Sequence, residues 1–123
     1  MIYLEIRVKK ECDPFGIQQN IPGAKLDSGK MLPWLFLSGF PRALNEVIKV
    51  TTFGAKKYSP NGWCYVEDGA NRYMEAFGRH QIELALGVTI DKDSQCLHKA
   101  QMIWNLLASL ELELRKIEEK SND

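Results

Sequence analysis

Apolar and polar residues alternate at the start of the chain, where Ile2, Leu4, Ile6 and Val8 interleave with Tyr3, Glu5, Arg7 and Lys9. That period of two predicts a β-strand with one buried face. A lone strand needs a partner, either a short neighbour around Trp34 to Leu37 or its equivalent in another subunit. From residue 10 to 29 the pattern dissolves, and Pro14, Gly16, Pro22, Gly23 and Gly29 predict an extended loop with turns. Loops of that length in small domains often cover a site. At Pro41, which suits the first position of a helix, the period lengthens: Leu44, Val47, Ile48 and Val50 form one apolar face. Gly54 either ends this helix or permits close packing. Ser59-Pro60-Asn61-Gly62 predicts a turn in which Asn61 or Gly62 takes positive φ. The next helix is capped by Asp68 or Asn71, runs to about Leu86 and stops at Gly87. The last begins near Gln95, with Ser94 as its cap, and continues through LELELRKIEEK, where Glu111 and Arg115 form an i,i+4 pair. The closing Ser121-Asn122-Asp123 is expected to fray. The expected fold is mainly α, a small helical bundle of three main helices with a short N-terminal β-strand and an extended loop. Residues 1–123 form a single domain, with 1–40 as an arm and 41–120 as the helical core.

The polar residues of the last two helices lie in stripes. At ~100° per residue, Arg72, Arg79 and Glu83 fall within about 40° of one another, bordered by Glu75 and His80. Tyr73, Phe77 and Leu84 flank that strip on one side, and Met74, Ile82 and Ala85 on the other. A helix so built is expected to be buried on two sides, with its charges paired, metal-bound or opened to a cleft. On the last helix His98, Asn105 and Ser109 align within the otherwise apolar run MIWNLLASL, and Asp91 and Asp93 sit two residues apart just before it. Carboxylates, arginine and histidine gathered in this way suggest a site for a metal and a phosphate. The surplus of apolar faces points toward a homo-oligomer, a dimer or a tetramer.

Composition narrows the partners. A chain of 123 residues that is 45% hydrophobic has enough apolar material for one core. Sixteen basic and sixteen acidic residues cancel, so the overall field gives no reason to expect nucleic acid or an anionic membrane as partner, and any anion site must be local. No apolar run approaches the ~20 residues that span a bilayer, and the alternating N-terminus is unlike a signal peptide. A soluble, cytoplasmic protein is expected. Cys12, Cys64 and Cys96 are odd in number and lack CxxC spacing, which argues against a disulfide framework or a zinc knuckle.

Several motifs carry both a plain and a chemical reading. Asp27-Ser28-Gly29-Lys30 invites comparison with a phosphate loop. Yet the distance from Gly23 to Gly29 is one residue too long and Met31 stands where Ser or Thr is required, so it is not a Walker A motif. What survives is a glycine turn presenting Lys30, against a simple surface turn. Lys56 and Lys57 either face water or clamp a phosphate. Glu46 is either solvated beside Lys49 or a ligand. Tyr58, Trp63 and Trp104 can stack on a base, although aromatics usually belong to a core.

The ordered series KLDSGKM, FPRALNEVIKVTTFGAKKYSPNGW, RYMEAFGRHQIELALG, IDKDS and LHKAQMIWNLLASLELEL resembles the phage-encoded dATP/dGTP diphosphohydrolase-like family, which looks like a branch of the all-α MazG-like nucleoside triphosphate pyrophosphohydrolases. The likeness covers about Lys25 to Leu114 and rests most on FGAKKY with the following N-G-W, the Arg79-His80 pair and the spacing from His98 to Trp104-Asn105. It implies a Mg²⁺-dependent hydrolysis, with Mn²⁺ as a substitute, of a purine deoxynucleoside triphosphate to the monophosphate and pyrophosphate. Mg²⁺ takes oxygen ligands in an octahedral shell shared with water and phosphate and acidifies a bound water. On this sequence the resemblance makes Glu46, Glu83, Asp91 and Asp93 the candidate metal ligands, the first three also catalytic. Lys30, Lys56, Lys57 and Arg79 are the candidates for the triphosphate, and His80, His98 and Asn105 for the base or for orienting carboxylates. The sequence departs from MazG-like ExxE and ExxD pairs: Lys49 follows Glu46 and Leu86 follows Glu83 at the third position. Two other readings use the same residues. One is a triphosphohydrolase of the HD type, with His80, His98 and Asp91 or Asp93 as ligands, although no adjacent His-Asp dyad occurs. The other is a non-catalytic phage accessory or nucleotide-binding oligomer.

Overall fold

The computed structural model describes residues 13–122, so the strand expected at residues 2–8 lies outside the described residues. These fall into two compact units, one ending at Gly39 and the other beginning at Phe40.

In the first unit, successive turns are closed by backbone hydrogen bonds from Gly16 to Asp13, Ile21 to Gln18, Ala24 to Ile21 and Lys30 to Asp27. The Asp13 carboxylate ties them together by accepting from the backbone N–H groups of Phe15 at 2.7 Å and Lys25 at 2.8 Å. Those donors, Lys25 first, hold its pKa below the usual carboxylate range. The unit ends in α1, Pro33–Gly39. Trp34 to Leu37, expected as a short strand, is therefore helical: Pro33 at the first position pre-sets helical φ, and the run lacks the alternation that a half-buried strand requires.

The second unit contains α2, Pro41–Lys57, a 3₁₀ turn at Gly62–Tyr65, α3, Gly69–Ala85, and α4, His98–Ser121. Among the described residues there is no strand, only one antiparallel bridge between Ile90 and Leu97. α2 opens with Pro41 and passes through Gly54 without a break. It stops where Tyr58 bonds back to Gly54 and the Ser59–Gly62 turn begins, with Asn61 taking the positive φ, 58°. α3 ends as Gly87 permits. At φ 87° its N–H reaches the carbonyl of Leu84 and that of Val88 reaches Glu83, the paired bonds of a Schellman motif.

α3 and α4 pack antiparallel along much of their length, and α2 packs against α4. The register of the first pair is visible at two levels: Ser109 Oγ donates to the carbonyl of Ala70 at 2.8 Å, and nearer the other end His80 meets His98. Val47 and Val50 of α2 pack with Cys96 and Ala100, and Leu97 and Trp104 cover them. That core is small. No large side chain is fully buried among the described residues, and no helix there is long and apolar enough to cross a membrane.

Since Ser109 is 2% exposed, Ser109→Ala removes a buried hydrogen bond between helices and should cost about 1 kcal/mol. A lower urea midpoint with an unchanged slope is the expected outcome.

Candidate functional site

The site is built around the segment joining α3 to α4. With the Schellman turn behind it, the chain runs to the Ile90–Leu97 bridge, where Asp91 N–H donates to Cys96 and His98 N–H to Thr89. Gln95, at φ 61°, makes the reversal, and its N–H donates to the Asp91 carbonyl. The closed loop sets the direction in which α4 starts. The helix therefore begins at His98 rather than near Gln95, and Ser94, expected as its cap, has another task.

That task is to hold Asp91. Ser94 Oγ and Gln101 Nε2 both donate to Asp91 Oδ2 at 2.9 Å, Gln101 also reaches Ser94 Oγ at 2.9 Å, and the Asp93 N–H donates to Asp91 Oδ1 at 3.3 Å. Burial alone pushes the Asp91 pKa up, but the donors from Gln101, Ser94 and the backbone outweigh it and hold the carboxyl at about 2. Asp91 is thus a fixed anion at neutral pH.

Two contacts extend the cluster. Lys57, at the end of α2, donates to Asp93 Oδ2 at 2.7 Å, and this bond raises the lysine pKa. Its ammonium also lies 5.7 Å from the Phe53 ring centroid and 5.5 Å from that of Tyr58. On the other side, His80 Nδ1 and His98 Nδ1 are 2.8 Å apart, so one must carry the proton and the other accept it. His98 is buried and His80 half-buried. Burial first, then the neighbouring His98, lowers the His80 pKa, against the pull of Asp91 and Glu83.

The remaining expected residues are placed elsewhere. Arg72, Glu75, Arg79 and Glu83 are exposed, so the strip expected between two buried flanks is not enclosed. Only the Tyr73, Phe77 and Leu84 flank is packed; Met74, Ile82 and Ala85 face outward, because α4 covers one side of α3 alone. Glu46 pairs with Lys49 at 2.9 Å along α2. Lys56 is exposed on the last turn of α2, and Lys30 is exposed on its turn in the other unit. Asn105 is buried and bonds its own helix, donating to the Gln101 carbonyl at 2.8 Å.

This donor set does not fit a Mg²⁺ or Mn²⁺ centre within one chain. Asp91 already accepts three protein hydrogen bonds, Asp93 is matched by Lys57 and Glu46 by Lys49. Among the described residues no group of three or more His, Cys, Asp or Glu side chains is placed to hold a metal ion. The Nδ1–Nδ1 contact likewise occupies one nitrogen of each histidine that an HD-type centre would use.

Gln101 is the residue that sequence reasoning missed. It lies on the stripe of His98, Asn105 and Ser109, three residues after the first, and that helical spacing was the available signal. Two of the three candidate aromatics pack against other rings. Trp104 meets Trp63 and Tyr73 edge to face, at 5.8 and 5.5 Å, while Arg115 lies 5.6 Å from the Trp63 ring and donates to Cys64 Sγ. Tyr58 is exposed.

Compared with known families, residues 20–122 match the model described as dATP/dGTP diphosphohydrolase, N-terminal. Neither the curated proteins nor the solved structures yield a match.

Two titrations follow from the geometry. Because the folded pKa of His80 lies below its ordinary 6.5, its contribution to stability is complete above that pH and declines as the pH falls below it. His80→Asn should flatten urea midpoints measured between pH 5 and 7.5. Asp91, depressed from 3.8 to about 2, contributes stability above pH 3.8 that is lost as pH falls through about 2. Asp91→Asn should cost about 2 kcal/mol at pH 7, and the difference from wild type should shrink through that acid window.

Proposed function

The chain belongs to the dATP/dGTP diphosphohydrolase family, and we propose that it hydrolyses a purine deoxynucleoside triphosphate between the α and β phosphorus atoms, releasing the monophosphate and pyrophosphate. The match over residues 20–122 is the observation that carries this reading. The cluster joining α2 to the 91–98 loop is the place in the fold that supports it.

The reaction has three demands. A water oxygen attacks the α-phosphorus, the bond to the bridging oxygen breaks, and pyrophosphate leaves with the electron pair while a proton departs from the water. Negative charge moves toward the leaving group, so cations near it stabilise the transition state. Lys57 and Lys56 at the end of α2, with Arg79, are the cations this reading assigns to the phosphates. The Lys57–Asp93 pair is exposed and therefore weak, so a polyanionic triphosphate can take the place of Asp93 at little cost.

With its carboxyl held at about 2, Asp91 is a weak base, and this reading does not assign it the proton. It keeps the loop closed and contributes a constant negative charge. His80 suits the proton better: its lowered pKa leaves it neutral at pH 7, and the tautomer that donates Nδ1–H to His98 leaves Nε2 as an acceptor. His98 then holds the ring through the Nδ1–Nδ1 contact, while Asn105 braces α4, which carries His98. Glu46, Glu83, Asp91 and Asp93 do not converge on an ion among the described residues, so a Mg²⁺ ion would be brought by the substrate and would supply neutralisation of its phosphate charge.

The test is a screen of all deoxy- and ribonucleoside triphosphates with Mg²⁺, products resolved by chromatography. dAMP or dGMP with pyrophosphate is expected, and turnover should cease with EDTA. Tripolyphosphate with a free nucleoside would instead indicate the HD-type reaction, and an inert protein the accessory reading. Lys57→Ala should lower kcat/KM about tenfold with helix content unchanged.

A further inference from the structure

Among the described residues, cations lie over three aromatic rings. Arg115 stands over Trp63, and Lys57 over both Phe53 and Tyr58. Trp63 is packed edge to face with Trp104 and Phe53 is half-buried, whereas Tyr58 is 77% exposed. Tyr65 is exposed as well, but no cation covers it. Tyr58 alone therefore combines an accessible ring with a neighbouring positive charge. Its backbone is held in place, since its N–H donates to the Gly54 carbonyl at 3.0 Å and the next turn is closed by Gly62 N–H donating to Ser59 at 3.1 Å.

The ammonium of Lys57 has two kinds of partner, the Asp93 carboxylate at 2.7 Å and the rings of Tyr58 and Phe53, whose centroids are 5.5 and 5.7 Å away. Both kinds are weak at an exposed site. A polyphosphate, with several charged oxygens, attracts the ammonium more strongly than either, and as the lysine turns toward it the face of Tyr58 is uncovered. A nucleotide carries its base one sugar away from its α-phosphate, a reach comparable with the 5.5 Å from ammonium to ring centroid. We propose that Lys57 and Tyr58 form an exchange site: the triphosphate takes the ammonium, and the base stacks on the ring face that the ammonium leaves. Such stacking accepts any base, because every base has a π-face, and gains most from a bicyclic one, which covers more apolar area. The free protein meanwhile keeps the ring covered by a cation of its own. The inference rests on the nucleotide-hydrolase reading and adds to it the residue that meets the base.

Its test is calorimetric titration of the full chain, with Mg²⁺ present, against two ligands. One is a dATP analogue with methylene in place of the oxygen between the α and β phosphorus atoms, so that hydrolysis does not obscure binding; the other is inorganic tripolyphosphate, which has no base. Tyr58→Ala should raise the dissociation constant of the analogue about tenfold and leave that of tripolyphosphate within about twofold, whereas Lys57→Ala should weaken both. Tyr58→Phe should recover most of the affinity that Tyr58→Ala loses, since the ring and not the hydroxyl does the stacking. The exchange itself is read by NMR with isotope-labelled lysine. The side-chain protons of Lys57, assigned by their absence from Lys57→Ala, should be ring-shifted in the free protein and lose that shift when the analogue binds. Three results would overturn the inference while leaving the hydrolase reading in place: an analogue constant unmoved by Tyr58→Ala, an equal loss for tripolyphosphate, which marks a structural role, or a ring shift that persists in the complex. A wild type that binds neither ligand would overturn both.

Discussion

Four polar side chains on one face of α4 must be buried for the helix to pack, and a buried polar group without a partner is costly. Much of the second unit's structure answers that requirement. His98 meets His80, Gln101 meets Asp91 and Ser94, Asn105 bonds one turn back along its own helix, and Ser109 reaches the start of α3. Among the described residues no buried side-chain nitrogen or oxygen lacks a partner. Apolar packing alone tolerates sliding, whereas bonds at two levels allow one register of α3 against α4.

The same requirement shapes the loop. Gln101 can satisfy Asp91 only if the chain returns to the helix immediately after α3 ends, and Gly87 and Gln95 supply the two positive-φ reversals that permit it. The outcome is an anion held at about 2 beside a histidine kept neutral by burial. Both groups are shifted downward, Asp91 by the donors around it and His80 chiefly by burial. Lys57 approaches from α2 and remains exposed, so its charge stays available to a larger anion.

Small residues on the packed side of α4 have a second consequence. Ala100 and Ala108 let the helices come close, but they remove little apolar surface from water. Trp104 packs inward, but Ile103, Leu106, Leu107 and Leu110 of α4 point the other way. The described residues therefore bury few large apolar side chains and expose many.

The positions of the helices could be read in the sequence because they depend on local chemistry. Pro41 opened α2, Gly87 closed α3, Asn61 took the turn, and the 3.6-residue period marked each apolar face. The polar stripe of α4 was legible too, apart from Gln101 within it. The rest depended on which faces meet, and no local signal states that. Arg79 and Glu83 have the spacing of a buried seam yet lie outside, since α4 covers only the Tyr73 flank. Ser94 has the chemistry of a cap but turns to Asp91 because the bridged loop carries the helix start to His98. Residue order thus determined where helices form and which of their faces are apolar, through backbone propensity and periodicity; only tertiary packing decided which polar groups meet, because a hydrogen bond depends on distances that residues far apart in sequence acquire together.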